Sequence, residues 1–330
     1  MRLPGMKPIS RKGVEMSATD TELRSDLGLY DYLPWPNRPK IRWPGNKKIA
    51  VWIAPNIEFY EYDPPDNPTR KPWARPNPDV LQYSHRDYGN RVGWQRMMAA
   101  MDHAGFRGSV SLNVALCEHH PEIIRACADR GWEFFSHGIY NTRYVYNLDI
   151  EQERSIIRDA FETVRNHTGQ ELAGWLSPAL SNNFWTMDIL SEAGIQYTCD
   201  LFHDDQPMPV KVKSGKLISM PYSLEMNDVI VYNTQKVTPR HYGEIIKRQF
   251  DQIYKDSEES GMVMCIPLHP YLVGQPHRID AFAEAIEYIS SHDGVWQTTG
   301  REIAQAYHAS GAYDAMLAAM NAHRTAQEIR

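Results

Sequence analysis

The stretch Trp132–Asn141, WEFFSHGIYN, indicates how this 330-residue chain folds and where its chemistry lies. Its aromatic, apolar beginning is typical of a short buried strand, and Gly138 predicts a turn directly after His137. A strand that ends this way brings an imidazole to the rim of a sheet or barrel, where α/β enzymes hold their catalytic groups. Taken alone, His137 is better explained as a loop histidine that caps a helix. Polar residues at other predicted strand ends make a functional role for His137 the better explanation.

Strands and helices alternate along most of the chain. Seven or eight predicted strands, the first starting at Lys48, are separated by helical segments without an internal repeat. This order favours an α/β fold of parallel βα units, and polar residues just after several strands favour a barrel. Because no linker interrupts the alternation, we expect one barrel domain over residues 45–308. We expect residues 1–44 to form an extended N-terminal arm, of which the first 25 are floppy, and residues 309–330 to form a C-terminal helical tail.

Composition narrows the classes of function. Hydrophobic residues make up 42% of the chain and the formal net charge is −6, which argues against a nucleic-acid or anionic-membrane surface. No apolar run has the length of a membrane span. The polar N-terminus has no signal-peptide core, so we expect a cytoplasmic protein. The four cysteines lack the spacing of a zinc knuckle and are best explained as buried free thiols.

Two further strand ends carry chemically able side chains. Glu58 follows the first predicted strand beside Asn56, and His269 ends the run Met262–Leu268 before Pro270. A carboxylate at a strand end can act as a general base or a metal ligand, and an imidazole can protonate a leaving nitrogen or hold an oxyanion. The alternatives are a solvated loop acid and a core histidine bonded to a carbonyl.

Other candidates are weaker. If the chain turns helical after Gly138, His137 and Asn141 share one face, but an amide oxygen is a poor ligand for a zinc-like ion. Ser177 ends another predicted strand, and no G-x-S-x-G elbow surrounds it, so we expect a substrate contact or a capping role rather than a nucleophile. A proline-rich, charged loop from Tyr62 to about Tyr83 has the length of a functional loop.

Together these patterns resemble the polysaccharide deacetylase, or NodB-homology, superfamily. The similarity is strongest to its branch of cofactor-independent allantoinases and cyclic imide hydrolases, and it spans roughly residues 45–305. The matching segments are Asn56-Ile57-Glu58, Tyr88–Gly93, Ser136-His137-Gly138, Trp175 with Ser177-Pro178, Asp200, and Leu268-His269-Pro270.

The resemblance implies a distorted (β/α) barrel of seven or eight strands. It also implies hydrolysis of a carbon–nitrogen bond in a small amide, ureide or cyclic imide, with Glu58, His137 and His269 as catalytic residues. Substrate contacts are expected from a wider set: Asn56, Arg91, Asn141, Trp175, Ser177 and Pro178. The first segment lacks the aspartates of metal-dependent deacetylases, so no cofactor is favoured.

Two other functions stay open. One is a metal-dependent N-deacetylase of acylated amino sugars, with zinc or another divalent cation held by Glu58, His137 and Asn141. The other is a non-catalytic ligand-binding barrel. Members of the resembled branch assemble, so we also expect a homo-oligomer.

Overall fold

The strands form a single sheet that curls into a half-barrel. The computed structural model describes residues 28–65, 77–146 and 148–328. Within them the sheet has the order β6-β7-β5-β4-β3-β2-β1-β8, and β9 pairs with the start of β1. This curled sheet confirms the predicted α/β distorted barrel. Its strands are β1 (Ile49–Ile57), β2 (Ser109–Leu112), β3 (Glu133–Ser136), β4 (Gly174–Trp175), β5 (Tyr197–Thr198), β6 (Met208–Val210), β7 (Leu217–Ser219), β8 (Met262–Leu268) and β9 (Val295–Gln297).

Helices fill most of the connections between these strands. A π-helical segment, Gly89–Gly93, joins the first helix (Val80–Tyr88) to the second (Trp94–Ala104) without a break. The helices are α1 (Val80–Tyr88), α2 (Trp94–Ala104), α3 (Leu116–His119), α4 (Pro121–Asp129), α5 (Ile150–Thr168), α6 (Thr186–Glu192), α7 (Pro239–Asp256), α8 (Pro270–Val273), α9 (Ile279–Ser290), α10 (Gly300–Ala309) and α11 (Ala312–Glu328).

Local sequence explains the main elements. Every residue of β1 and β8 is buried, as expected of parallel strands that are covered on both faces. Helix α5 starts with a capping box in which Asp149 accepts from the Gln152 backbone and Gln152 accepts from the Asp149 backbone. It ends at Gly169, whose φ of 71° suits glycine.

Two local expectations were wrong. The sequence analysis missed β6, which pairs antiparallel with β7, because its three residues centre on Pro209, and proline is confined to edge strands. The predicted loop is shorter than expected, since α1 already begins at Val80, capped by the Asp79 side chain. Residues 66–76 of that loop lie outside the described residues.

The two ends of the described chain pack on the barrel. In the predicted arm, Trp43 is buried and its Nε1 donates to the Met262 carbonyl oxygen over 2.9 Å. The first 27 residues lie outside the described part. In α11, Tyr313, Met316 and Met320 are buried in a cluster with β5 and β8, so this apolar face is used within the chain. None of the described helices combines the length and apolarity needed to span a bilayer.

Glycines let α8 approach the π-helical segment at backbone distance. A Cβ added to Gly93 would lie 2.2 Å from the Pro270 carbonyl oxygen, and one added to Gly89 would lie 2.6 Å from the Tyr271 nitrogen. Because α8 begins directly after His269, this contact fixes where that imidazole stands. The segment Tyr88–Gly93, selected from its sequence alone, thus has a packing role.

Replacing Gly93 with alanine should force α8 away from this position. For Gly93→Ala we expect the free energy of unfolding to fall by about 1–3 kcal/mol, the usual range for overpacking. Urea unfolding measures it. Val92→Ala, an exposed neighbour in the same segment, is the matched control and should change stability by less than about 0.5 kcal/mol. Equal effects would contradict the packing argument.

Candidate active site

The carboxyl ends of parallel strands bring the three predicted catalytic side chains together. Glu58 follows β1, His137 follows β3 and His269 follows β8. Glu58 Oε1 lies 3.3 Å from Nε2 of His269 and 3.6 Å from Nε2 of His137. All three residues are at most 6% exposed. A carboxylate therefore stands between two imidazoles that are distant in sequence.

Asp228 holds the ring of His269. Its Oδ1 accepts from Nδ1 of His269 over 2.7 Å, and its Oδ2 accepts from the backbone nitrogen of the same residue over 2.9 Å. Asp228 is completely buried. The two bonds direct Nε2 of His269 toward Glu58, so the imidazole has one orientation.

The charges of this cluster reinforce one another. Burial lowers the pKa of His269, but the negative charges of Glu58 and Asp228 outweigh burial and raise it to about 9. Burial raises the pKa of Glu58, yet the charge of His269 and hydrogen bonds with both imidazoles hold it well below its usual range. At neutral pH His269 is thus an imidazolium and Glu58 a carboxylate.

His137 is held differently. Its Nδ1 donates to the Leu176 carbonyl oxygen over 2.9 Å. Because a carbonyl only accepts, Nδ1 carries a proton, and Nε2 faces Glu58 Oε1 at 3.6 Å. Glu58 Oε2 is buried and has no partner among the described residues, so it is available to a water or a substrate.

These residues line one cavity of about 280 Å³. Asn56 and Asn141 are also among its lining residues, and their contact with a substrate stays a prediction. The expected helical pairing of His137 with Asn141 was wrong, because the chain after Gly138 forms a turn. Asn141 reaches the cavity by another route: its backbone nitrogen bonds to the Phe59 oxygen and its Nδ2 donates to the Tyr60 hydroxyl over 2.6 Å.

The segment after β4 both lines and supports the cavity, and Ser177 is among its lining residues. The backbone nitrogen and Oγ of Ser177 both donate to Asp200 over 2.7 Å, which occupies the hydroxyl. Trp175 is buried and donates to Ser177 Oγ over 3.1 Å, and it is not among the lining residues. Pro178 is also outside the lining and packs closely on Gly138. Trp175 therefore holds Ser177 in place, and Pro178 packs on Gly138. The sequence analysis had instead expected both residues to contact the substrate.

Arg91 does not reach the cavity. Its side chain is 68% exposed and pairs with Asp87 at 2.5 Å. Arg86, five residues earlier, is among the residues that line the cavity. Five residues do not complete a whole number of helical turns, so the two arginines project from different faces of the continuous helix.

Sequence reasoning missed several residues of the site. Asp228 lies in the connection between β7 and α7, with no motif around it. Among the aromatic lining residues, Tyr60 and Tyr271 each stand two positions after a predicted catalytic residue, Glu58 and His269. This spacing of two residues was the signal in the sequence that could have identified them. Tyr222 comes from the loop after β7 and accepts from Asn56 Nδ2 over 2.9 Å.

The donor set fits a tight metal centre poorly. Glu58 and Nε2 of His137 are strong donors, while Asn141 offers only an amide oxygen. The proton on Nε2 of His269 blocks that nitrogen as a ligand. Within the described residues no group of three or more His, Cys, Asp or Glu side chains is arranged to hold a metal ion. We therefore assign no step to a metal, and the favoured absence of a cofactor stays a prediction.

Comparison with known proteins agrees with this geometry. The sequence model of the polysaccharide deacetylase family matches residues 80–198. This part of the chain is therefore similar to the polysaccharide deacetylase family. That region includes His137 and Ser177, whereas Glu58 and His269 lie on either side of it.

Individual proteins resemble the chain over most of its length. A crystal structure of PuuE allantoinase is 26% identical, with a TM-score of 0.75, and the match covers 89% of this chain and all of that one. A probable polysaccharide deacetylase of Pseudomonas aeruginosa PAO1 is 26% identical, with a TM-score of 0.73, over 83% and 96% of the two chains. A peptidoglycan deacetylase of Helicobacter pylori is 24% identical over 57% of this chain and 74% of its own.

These matches confirm the resemblance to the NodB-like superfamily. They also confirm the predicted enzyme class, a hydrolase of carbon–nitrogen bonds other than peptide bonds. The roles of the single residues stay predictions.

Removing the charge of Asp228 should change how stability depends on pH. A pKa raised from 6.5 to about 9 on folding stabilises the protein fully below about pH 6.5, and this stabilisation is lost as the pH rises through about 9. In Asp228→Asn the pKa of His269 should fall, so the loss moves to lower pH. Urea unfolding across this range measures the loss, and NMR titration of the His269 ring measures the pKa.

Asp251→Asn is the matched control for this experiment. Asp251 is exposed and accepts a hydrogen bond from Tyr288, away from the cavity. Its free energy of unfolding should fall with rising pH over the same range as that of the parent chain. If both variants behave alike, Asp228 does not set the charge of His269.

Proposed function

We propose that this protein hydrolyses a carbon–nitrogen bond of a small amide, ureide or cyclic imide in the cavity lined by Glu58, His137 and His269. The observation that carries the proposal is a buried carboxylate 3.3 Å from an imidazolium that a second carboxylate holds in place. Such a pair offers a proton acceptor and a proton donor within one cavity.

Glu58 and His269 can share the proton transfers of one turnover. The oxygen of a water bound at Glu58 attacks the carbonyl carbon, and Glu58 takes the proton that the water loses. His269 stabilises the developing oxyanion and gives its Nε2 proton to the leaving nitrogen as the carbon–nitrogen bond breaks. The proton on Glu58 then returns to His269, because the two atoms are 3.3 Å apart. A simple amide yields a carboxylic acid and an amine, a ureide cut at its urea carbonyl yields a carbamate and an amine, and a cyclic imide opens to one molecule that carries both a carboxylic acid and an amide.

The protonation states of Glu58 and His269 are coupled. The pKa of Glu58 is held down chiefly by the positive charge of His269, against the opposing effect of burial. When His269 gives its proton to the leaving nitrogen, that charge disappears, so the two groups titrate as a pair rather than independently.

Cavity size favours a small substrate over a polymer. A volume of about 280 Å³ lies near the lower end of ligand pockets. Its lining also contains apolar residues from the loops after β4, β5 and β7, which fit the carbon skeleton of a compact molecule. These residues are Leu176, Ala179, Leu180, Phe202, Leu224, Val229 and Ile230.

Removing either partner of the acid–base pair should abolish most turnover. For Glu58→Gln and His269→Gln we expect kcat to fall on the order of a hundredfold or more. The assay uses a panel of allantoin, hydantoin, succinimide and simple amides. Exposed Glu118→Gln and His103→Gln are matched controls and should keep the parent rate. Near-parental kcat in either site variant removes that residue from the mechanism.

A metal-dependent N-deacetylase is the second candidate. It is favoured by the free Nε2 of His137 facing Glu58, whose Oε2 has no described partner. Under our preferred proposal, prolonged treatment with a chelator leaves turnover of the imide panel unchanged within about twofold, since no ligand triad is available. Lasting loss that added zinc restores, with activity on N-acetylglucosamine oligomers, would favour the second candidate instead. Ligand binding with no turnover on any panel would indicate a binding barrel.

A further inference from the structure

Arg86 is a cation built into the wall of the cavity. It projects from α1, and its guanidinium carbon lies 4.1 Å from the centroid of the Tyr60 ring and 4.5 Å from that of the Tyr271 ring. Its Nη1 bonds to Gln82 one helical turn earlier. Two rings and a hydrogen bond therefore fix the position of a group that lines the same cavity as Glu58.

Among the described residues this cation has no close ion-pair partner, and the carboxylate of Glu58 acts on it only from a distance. No described carboxylate lies within 4.0 Å of Arg86, and its Nε is buried without a hydrogen-bond partner. Burial lowers the pKa of Arg86, but Tyr60, Tyr271 and Glu58 raise it above its ordinary value, so the group stays charged. A largely buried charge without a partner is costly, and contact with aromatic faces offsets only part of that cost.

The other cation of the cavity is already satisfied. His269 faces Asp228 at 2.7 Å and Glu58 at 3.3 Å. A negatively charged group that enters the cavity therefore finds its best partner at Arg86. A planar guanidinium with free N–H groups suits a carboxylate in particular, because two parallel hydrogen bonds can form.

We propose that Arg86 anchors the substrate and that the physiological substrate is an amide, ureide or cyclic imide that carries a carboxylate. The proposal rests on the function proposed above and narrows its substrate class. The carboxylate binds Arg86 while the scissile carbonyl lies beside the Glu58–His269 pair, in the cavity that all three residues line. Arg86 is a specificity residue, because it recognises a part of the substrate that does not react.

Matched substrate pairs test this assignment. Each pair differs only in a carboxylate: dihydroorotate and dihydrouracil, hydantoin-5-acetate and hydantoin-5-acetamide, N-acetylglycine and N-acetylglycinamide. We expect the carboxylate member of at least one pair to have a kcat/KM about 10- to 100-fold higher, the effect of a hydrogen bond to a charged group. Arg86→Gln should erase this preference mainly through KM, and Arg86→Lys should keep part of it.

Arg91→Gln is the matched control, since that arginine stands on the same helical stretch but is exposed and paired with Asp87. It should keep the full preference. A purely structural role for Arg86 predicts instead that kcat/KM falls equally for both members of each pair. Neutral members that are turned over as well as their carboxylate partners by the parent enzyme would overturn the proposal while leaving the hydrolase assignment intact.

Binding provides a test that does not depend on turnover. Succinamate and succinamide differ by one carboxylate, and calorimetry on the unaltered chain should show about 10-fold or tighter binding of succinamate. Arg86→Gln should bind both ligands equally. Equal affinities in the parent chain would refute the role of Arg86. Tighter succinamate binding without hydrolysis of any pair would support Arg86 and refute the proposed function.

Discussion

The ion pair between Glu58 and His269 is the constraint on which the site depends. Two charges that are at most 6% exposed would lose several kcal/mol of hydration each without close partners. Asp228 changes this balance, because it adds a second negative charge and two hydrogen bonds to His269. The three residues come from the ends of β1 and β8 and from the connection after β7. A barrel is needed to bring these three together. The fold therefore determines the protonation states of the site.

Backbone packing makes that arrangement precise. His269 is the last residue before α8, and α8 lies against the π-helical segment at distances that only glycine permits. The same helical stretch carries Arg86 into the cavity. A single contact between backbones therefore positions the imidazole of His269 and the guanidinium of Arg86, which are far apart in the chain. This explains why a glycine-rich segment remote from the catalytic residues in sequence belongs to the site.

The sequence predicted what strand ends determine and missed what loops determine. Glu58, His137 and His269 each follow a buried strand, and parallel strands bring their carboxyl ends to one edge, so their convergence could be inferred. Asp228 comes from a long connection whose path depends on tertiary packing. Asn141 was predicted to lie on a helix after Gly138, but the structure has a turn at this point. Arg86 and Arg91 lie on the same helical stretch but on different faces of it. The sequence analysis chose Arg91, because the residues before Val80 gave no clear helix start from which to assign the faces.

The proton on His269 also bears on the choice between two kinds of amide hydrolysis. Both need positive charge near the carbonyl oxygen, which a metal ion or an imidazolium can supply. Asp228 and Glu58 together raise the pKa of His269 to about 9, against burial, and the resulting proton occupies the nitrogen that would otherwise be a ligand. Asp228, buried beside His269, therefore favours the imidazolium. Asn56 is consistent with this, since an amide there bonds to Tyr222 and adds no negative charge that would attract a cation.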